Sequence, residues 1–259
     1  MKTSIFDSIV FGPIQSRRLG VSLGINLLPA DGKLCSFDCI YCECGLNEER
    51  RTKSRMPVRS DVKKALEQKL VALKEEGITP DVITFAGNGE PTLHPDFGGI
   101  IDDTMEVRNR LCPAARIAVL SNSTTLHKPE VFAVLNKVDD NIMKLDSVSD
   151  SRIRQLNAPV SPSFTFDNLL RQLTAFNGNV IIQTMFLKGE CRGENVGNTT
   201  EEEITGWLEA LRQIRPKQVM IYTIDRNTPV EGLLKVSPAE MESIAGRARD
   251  LGFRVSVSG

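Results

Sequence analysis

The chain has 259 residues, 41% of them apolar and 25% charged, which are ordinary values for a globular protein long enough to bury a core. Its 32 Lys and Arg nearly balance 33 Asp and Glu, so a net charge of −1 excludes a global field toward nucleic acid or membrane, though not a local basic patch. No apolar run reaches transmembrane length, and Asp7 interrupts the start where a secretory signal would stay apolar, so the expected location is the cytoplasm with no membrane partner.

The six cysteines are unevenly placed: Cys35, Cys39, Cys42 and Cys44 crowd together, while Cys112 and Cys191 stand alone. In a reducing compartment such crowding points to metal binding rather than to disulfides.

In chain order, Arg17 and Arg18 come first. They suit a phosphate or carboxylate partner, or a pair of surface salt bridges. Residues 21–28 form an apolar run that predicts a buried strand. The loop after it contains Cys35-Ser36-Phe37-Asp38-Cys39-Ile40-Tyr41-Cys42, a Cys-x3-Cys-x2-Cys spacing. Three thiolates this close converge on one centre if they bind metal, and soft thiolates suit zinc, copper(I) or an iron–sulfur cluster. A [4Fe–4S] cluster usually takes four cysteines, so three leave one iron open. The competing reading makes Cys44 the fourth ligand of a closed zinc site. Against it stand the lack of a second cysteine pair and the short gap from Cys42. The run from Arg50 to Arg55 is basic enough to touch a phosphate backbone, or is a solvated loop.

A helix is predicted over 61–76, after Ser60 and before a Gly77 stop. A strand over 82–86 runs into Gly87-Asn88-Gly89-Glu90-Pro91. Glycines there let the backbone approach a ligand, and the third glycine of a dinucleotide fingerprint is missing. His94, just before Pro95, reads as structural. A helix over 95–111 leads to a strand over 117–120, ending on Ser121 and Asn122. A helix over 129–136 leads to a strand over 142–145, where Lys144 and Asp146 share a face. A helix over 166–176 precedes a strand over 180–187 broken by Gln183, a buried amide that needs partners. Thr200 opens a helix to about residue 214. The next strand, 219–224, places Tyr222, Thr223, Asp225 and Arg226 on the substrate side. Ser237-Pro238-Ala239-Glu240 is a capping box for a helix ending near Gly252, and residues 253–257 alternate like an edge strand.

Strand–helix alternation gives an α/β class. About six units fit between residues 20 and 225, too few for a closed eightfold barrel. The expected fold is a partial (β/α)6 TIM-like barrel, with residues 1–19 and 226–259 as N-terminal and short C-terminal extensions. Chemistry in such folds collects at the C-terminal strand ends.

The cysteine loop, with Tyr41 as the aromatic before the last cysteine, resembles the signature of the radical S-adenosylmethionine (SAM) superfamily. Residues 11–24 together with Lys144 and Asp146 narrow the resemblance to the Fe–S oxidoreductase branch related to the wyosine-forming tRNA enzyme. The likeness runs from residue 11 to about 235 and implies a single domain over 1–259. It implies that Cys35, Cys39 and Cys42 bind a [4Fe–4S] cluster whose fourth iron is chelated by SAM. Tyr41 would lie near the adenine. Gly87, Asn88, Gly89, Glu90 and Pro91 would hold the methionine, with Glu90 accepting from its ammonium. Ser121, Asn122, Lys144, Asp146 and Gln183 are further cofactor contacts, Asp146 being the candidate for the ribose. The implied activity is reductive cleavage of SAM and hydrogen abstraction from a nucleoside or tRNA, a peptide or a small metabolite. A flavodoxin or ferredoxin is the expected electron donor, and RNA is a candidate partner. No cysteine precedes Cys35, so the second cluster of the wyosine enzyme has no counterpart and wyosine synthesis is not expected. Nor is peptide modification of the kind found in relatives with cysteine-rich C-terminal extensions. The alternative is a non-catalytic zinc- or Fe–S-binding barrel protein.

Overall fold

The computed structural model describes residues 5–16, 18–49 and 51–259, so Arg17 and Arg50 lie outside the described residues. Strand β1 (Val10–Ser16) turns back on β2 (Gly20–Ile25) as an antiparallel hairpin. The sheet then continues in parallel through β3 (Val82–Phe85), β4 (Arg116–Ser121), β5 (Asp140–Lys144) and β6 (Ile181–Cys191). Short β7 (Glu194–Asn195) pairs antiparallel with β6. Strand β8 (Gln218–Thr223) is parallel to β6, β9 (Leu233–Lys235) folds back on β6, and β10 (Val255–Ser258) closes the series beside β8.

The spatial order β1-β2-β3-β4-β5-β6-β8-β10 leaves both edges open, giving a curled sheet that forms a half-barrel. The partial TIM-like barrel expected from the strand count is therefore present. Residues 10–16, within the segment expected as an N-terminal extension, form a strand of the sheet. Gly12 and Pro13 break the alternation that would have marked them.

Strand register sorts the apolar residues into two layers, as period-2 alternation requires. Ile83, Ile117, Met143, Ile182 and Val219 join the outer core under the helices. Their neighbours Val82, Ala118, Ile142, Ile181 and Met220 fill the floor of the lumen with Leu19 and Leu120.

The outer layer is α1 (Arg59–Glu75), α2 (Phe97–Leu111), α3 (Pro129–Leu135), α4 (Asp150–Asn157), α5 (Phe166–Thr174), α6 (Glu201–Ile214) and α7 (Pro238–Asp250). Helix α1 starts two residues before the expected Asp61. Arg59 makes two bonds to Asp103 of α2, at 2.7 and 2.9 Å, which draws Arg59 into the first turn and leaves Val58 at the cap. Thr200 and Ser237 accept from the backbone N–H of Glu203 and Glu240, each at 3.3 Å, as their spacing predicts. Trp207 of α6 seats that helix on the sheet: Nε1 donates to Thr184 Oγ1 at 3.0 Å and the ring meets Phe186 edge-on. Among the described residues, no helix is long and apolar enough to cross a membrane.

Candidate active site

The cysteine loop leaves the C-terminal end of β2 and is strapped on two sides. On one side, Leu34 N–H donates to the Asn88 carbonyl at 2.9 Å and Leu34 O accepts from Glu90 N–H at 3.1 Å. This strap requires glycine at 89, where φ is +139° and a Cβ would sit 1.9 Å from Leu34 O. Gly87, at φ +147°, leaves room for Asn26, whose Oδ1 accepts from the N–H groups of Leu28 and Asn88 at 3.2 and 3.1 Å. On the other side, Asp38 and Ile40 donate their N–H groups to Asn157 O and Leu156 O at the end of α4, at 2.8 and 3.0 Å.

These straps set Cys35, Cys39 and Cys42 on the wall of a cavity of ≈ 320 Å³ at the C-terminal ends of the strands. Two of the sulfurs face amide donors: Asn122 Nδ2 lies 3.6 Å from Cys35 Sγ, and Asn157 Nδ2 lies 3.5 Å from Cys39 Sγ. Beneath the loop, buried Lys33 donates to Gly45 O at 2.8 Å and to Asp38 Oδ1 at 3.1 Å. Burial opposes its charge, but Cys42, Cys35 and Asp38 together raise its pKa above the ordinary lysine value. Burial pushes Cys35 up to about 12 and Cys39 up to about 11. Cys42 is drawn down to about 6 by a hydrogen bond from the Cys44 thiol, and the same bond raises Cys44.

Among the described residues, no three His, Cys, Asp or Glu side chains come close enough to share a single metal ion. Cys35, Cys39 and Cys42 line the cavity together with Cys44, with N–H donors and a buried cation behind them, a thiolate-rich wall that suits an iron–sulfur cluster.

Glu90 lies beside the cysteines, buried at 2% exposure. Its Oε1 accepts from Thr92 Oγ1 at 2.6 Å, Ser121 Oγ at 2.9 Å and Thr92 N–H at 3.1 Å. Among the described residues, its Oε2 accepts only from Asn122 N–H, at 2.7 Å, and so keeps room for a donor from the cavity. Burial raises its pKa, although these four bonds pull the other way.

Against Cys39 lies a buried polar network. Tyr41 Oη donates to Asp146 Oδ2 and accepts from Lys144 Nζ and Asn157 Nδ2, both at 3.0 Å. Asn157 Nδ2 also donates to Asp146 Oδ2 at 2.7 Å, and Met185 N–H donates to Oδ1 at 2.9 Å. Lys144 reaches Tyr222 Oη at 3.3 Å. Burial opposes the Lys144 charge, but Asp146, Tyr222 and Cys39 raise its pKa above the ordinary lysine value.

Comparison with known proteins fits this geometry. Residues 31–197, well over half of the chain, match the Radical SAM superfamily. The chain belongs to the radical SAM superfamily. Its enzymes use a [4Fe–4S] cluster and SAM. The chain is 32% identical over 228 residues to a UPF0026 protein of Methanocaldococcus jannaschii, covering 86% of itself and 64% of that protein. It is 30% identical over 246 residues to a protein named GTPase Obg from Brachyspira hyodysenteriae, covering 93% of itself but only 33% of that longer chain. The fold resembles Streptococcus suis SuiB bound to SAM, at TM-score 0.65 and 14% identity over 91% of this chain and 50% of that one. It also resembles TYW1, the wyosine-forming enzyme, with a lysine–pyruvate adduct bound, at TM-score 0.61 and 14% identity over 88% of this chain and 73% of the other.

Within this radical SAM fold, Cys35, Cys39, Tyr41, Cys42, Gly87, Gly89, Glu90, Ser121, Asn122, Lys144 and Gln183 all line the cavity. Three expected contacts do not. The Asn88 side chain points away, donating to the carbonyls of Phe6 and Pro29, both at 2.8 Å, so it braces the loop. Pro91 is buried at the start of a 3₁₀ turn (Pro91–Leu93). Asp146, the expected ribose ligand, has a fully buried side chain behind Tyr41 and Lys144, so it orients those two groups. Asn26, Lys33 and Asn157 were not expected. Asn157 closes a short polar helix, Asn26 stands alone in an apolar run, and Lys33, two residues before Cys35, is overshadowed by the cysteines.

Proposed function

We propose that this chain is a radical SAM enzyme that reductively cleaves SAM and uses the product to take a hydrogen atom from a substrate. The observation that carries this is the placing of three cysteines and the open side of Glu90 on one cavity wall. Cys35, Cys39 and Cys42 would hold a [4Fe–4S] cluster, and Glu90 Oε2 would accept from the methionine ammonium. The backbone of Gly87 and Gly89, with Ser121 and Asn122, would shape the amino-acid end of that site. Tyr41 would flank the adenine, its hydroxyl fixed by Asp146, Asn157 and Lys144. Held by these residues, the cluster and SAM would supply reductive cleavage of the sulfonium carbon–sulfur bond.

The chain's part is to orient these groups and to keep water from the lumen, whose apolar floor does the latter. A flavodoxin or ferredoxin would supply the electron, in a cytoplasmic setting, and the whole chain would act as one domain. The test is anaerobic incubation of the reconstituted, dithionite-reduced protein with SAM, followed by chromatography. Formation of 5′-deoxyadenosine is expected even without substrate. A reduced cluster with bound SAM and no 5′-deoxyadenosine would reject the function.

A further inference from the structure

One cation in the lumen has no task in the site described above. Arg18 lies just before β2, and its guanidinium stacks over the Tyr222 ring at 4.7 Å. Its Nη1 is buried and has no hydrogen-bond partner among the described residues. A buried guanidinium nitrogen without an acceptor is costly, so such a group marks a place where an acceptor is expected. The nearby carboxylates are taken. Arg226 holds Glu43 at 2.6 Å, Lys235 lies 3.7 Å from Asp225, and Lys144 covers buried Asp146 at 3.5 Å. A recess of ≈ 50 Å³ opens beside the main cavity between Arg18, Met185, Tyr222 and Arg226.

We propose that Arg18, reinforced by Lys144, is an anion seat inside the lumen, and that the substrate is a small metabolite carrying a carboxylate or a phosphate. The substrate assignment rests on the function proposed above. Lys144 contributes by position: its Nζ lies 3.3 Å from Tyr222 Oη and 5.9 Å from the ring that Arg18 covers, so both cations meet at Tyr222. Arg18 contributes a planar fork of donors that matches carboxylate and phosphate oxygens.

The carboxylate of SAM is not the natural occupant. Glu90 is bonded to Ser121 of β4, whereas Tyr222 belongs to β8, three places further along the sheet. At about 4.8 Å per strand that is roughly 14 Å along the sheet, and the methionine ammonium and carboxylate share one carbon. The seat lies inside the lumen, which favours a small anion over a macromolecular phosphate backbone.

The test is calorimetric titration of inorganic phosphate, and separately of malonate, into two samples: the metal-free protein and the reconstituted, SAM-saturated protein. At least one anion is expected to bind both samples with similar affinity, and Arg18→Gln should weaken it about tenfold or more. The preferred anion tells a phosphorylated substrate from a carboxylic acid. Should Arg18→Gln fail to fold, Arg18→Lys keeps the charge but loses the fork, and a weakening of about threefold or more is expected. No binding of either anion, or binding unchanged in both variants, would overturn the seat. Displacement of the anion by SAM would overturn it too, because Arg18 would then hold the cofactor's carboxylate. Arg18-dependent anion binding in a protein that takes up no SAM would support the seat and count against the proposed function.

Discussion

The backbone N–H of Asn122 donates to Glu90 Oε2 at 2.7 Å, joining the end of β4 to the loop after β3. Three further donors saturate Oε1, so the free acceptor capacity of this buried carboxylate lies on the Oε2 side. Glu90→Gln should therefore leave the cluster intact and weaken SAM binding by about 1.5–3 kcal/mol, roughly 10- to 150-fold. Calorimetry on the reconstituted variant checks this, and unchanged affinity would remove Glu90 from the site.

The same carboxylate predicts a pH dependence. Burial raises its pKa in the free protein, and a bound ammonium favours the ionised form. Binding then releases a proton, so SAM affinity should rise as the pH climbs through the raised Glu90 range and fall below it. Titrations across mildly acidic to neutral pH should show this slope in the wild type and not in Glu90→Gln. An equal slope in both would assign the effect to another group.

Asn157 sends one amide nitrogen toward Cys39, Tyr41 and Asp146. Hydrogen bonds to cluster sulfurs are one of the levers on reduction potential. Asn157→Ala removes a donor from the Cys39 sulfur, and with it positive charge that favours the reduced state. The reconstituted variant should become harder to reduce, with a more negative midpoint in a spectroscopic redox titration. An unchanged midpoint would leave Asn157 as a brace for Tyr41 alone.

Gly89→Ala should lower stability by about 1–3 kcal/mol, because the positive φ and the closeness of Leu34 O both oppose a Cβ. Gly246, inside α7 with nothing within 4 Å of where a Cβ would sit, is the control. Gly246→Ala should add about 0.5–1 kcal/mol through helix propensity. Denaturant titration of both variants checks the contrast, and equal effects would contradict the strap.

The sequence was most legible where pattern and chemistry coincide. The apolar runs of β3, β4, β5 and β8 are buried on both sides and read plainly as parallel strands. The capped helices α6 and α7 announced themselves through Thr200 and Ser237. Helix α4 did not, because its only buried apolar residues are Ile153 and Leu156, too few to show a helical period. Strand β1 was hidden by Gly12 and Pro13. In the site, the cysteine and Gly87–Glu90 motifs identified the cavity wall, but side-chain direction was beyond them. Asn88 and Asp146 carry suitable groups and turn them into the framework, which only strand register and packing decide.

On the proposed function, Cys35, Cys39 and Cys42 hold a [4Fe–4S] cluster with one iron open to SAM. Low-temperature electron paramagnetic resonance of the anaerobically reconstituted, dithionite-reduced protein, recorded before and after SAM is added, tests it most directly. A reduced-cluster signal whose shape changes on adding SAM is predicted, kept in Cys44→Ala and lost when Cys35, Cys39 or Cys42 is replaced by Ala. A colourless protein with stoichiometric zinc, or a cluster signal that SAM leaves unaltered, would contradict an open-iron cluster in this protein.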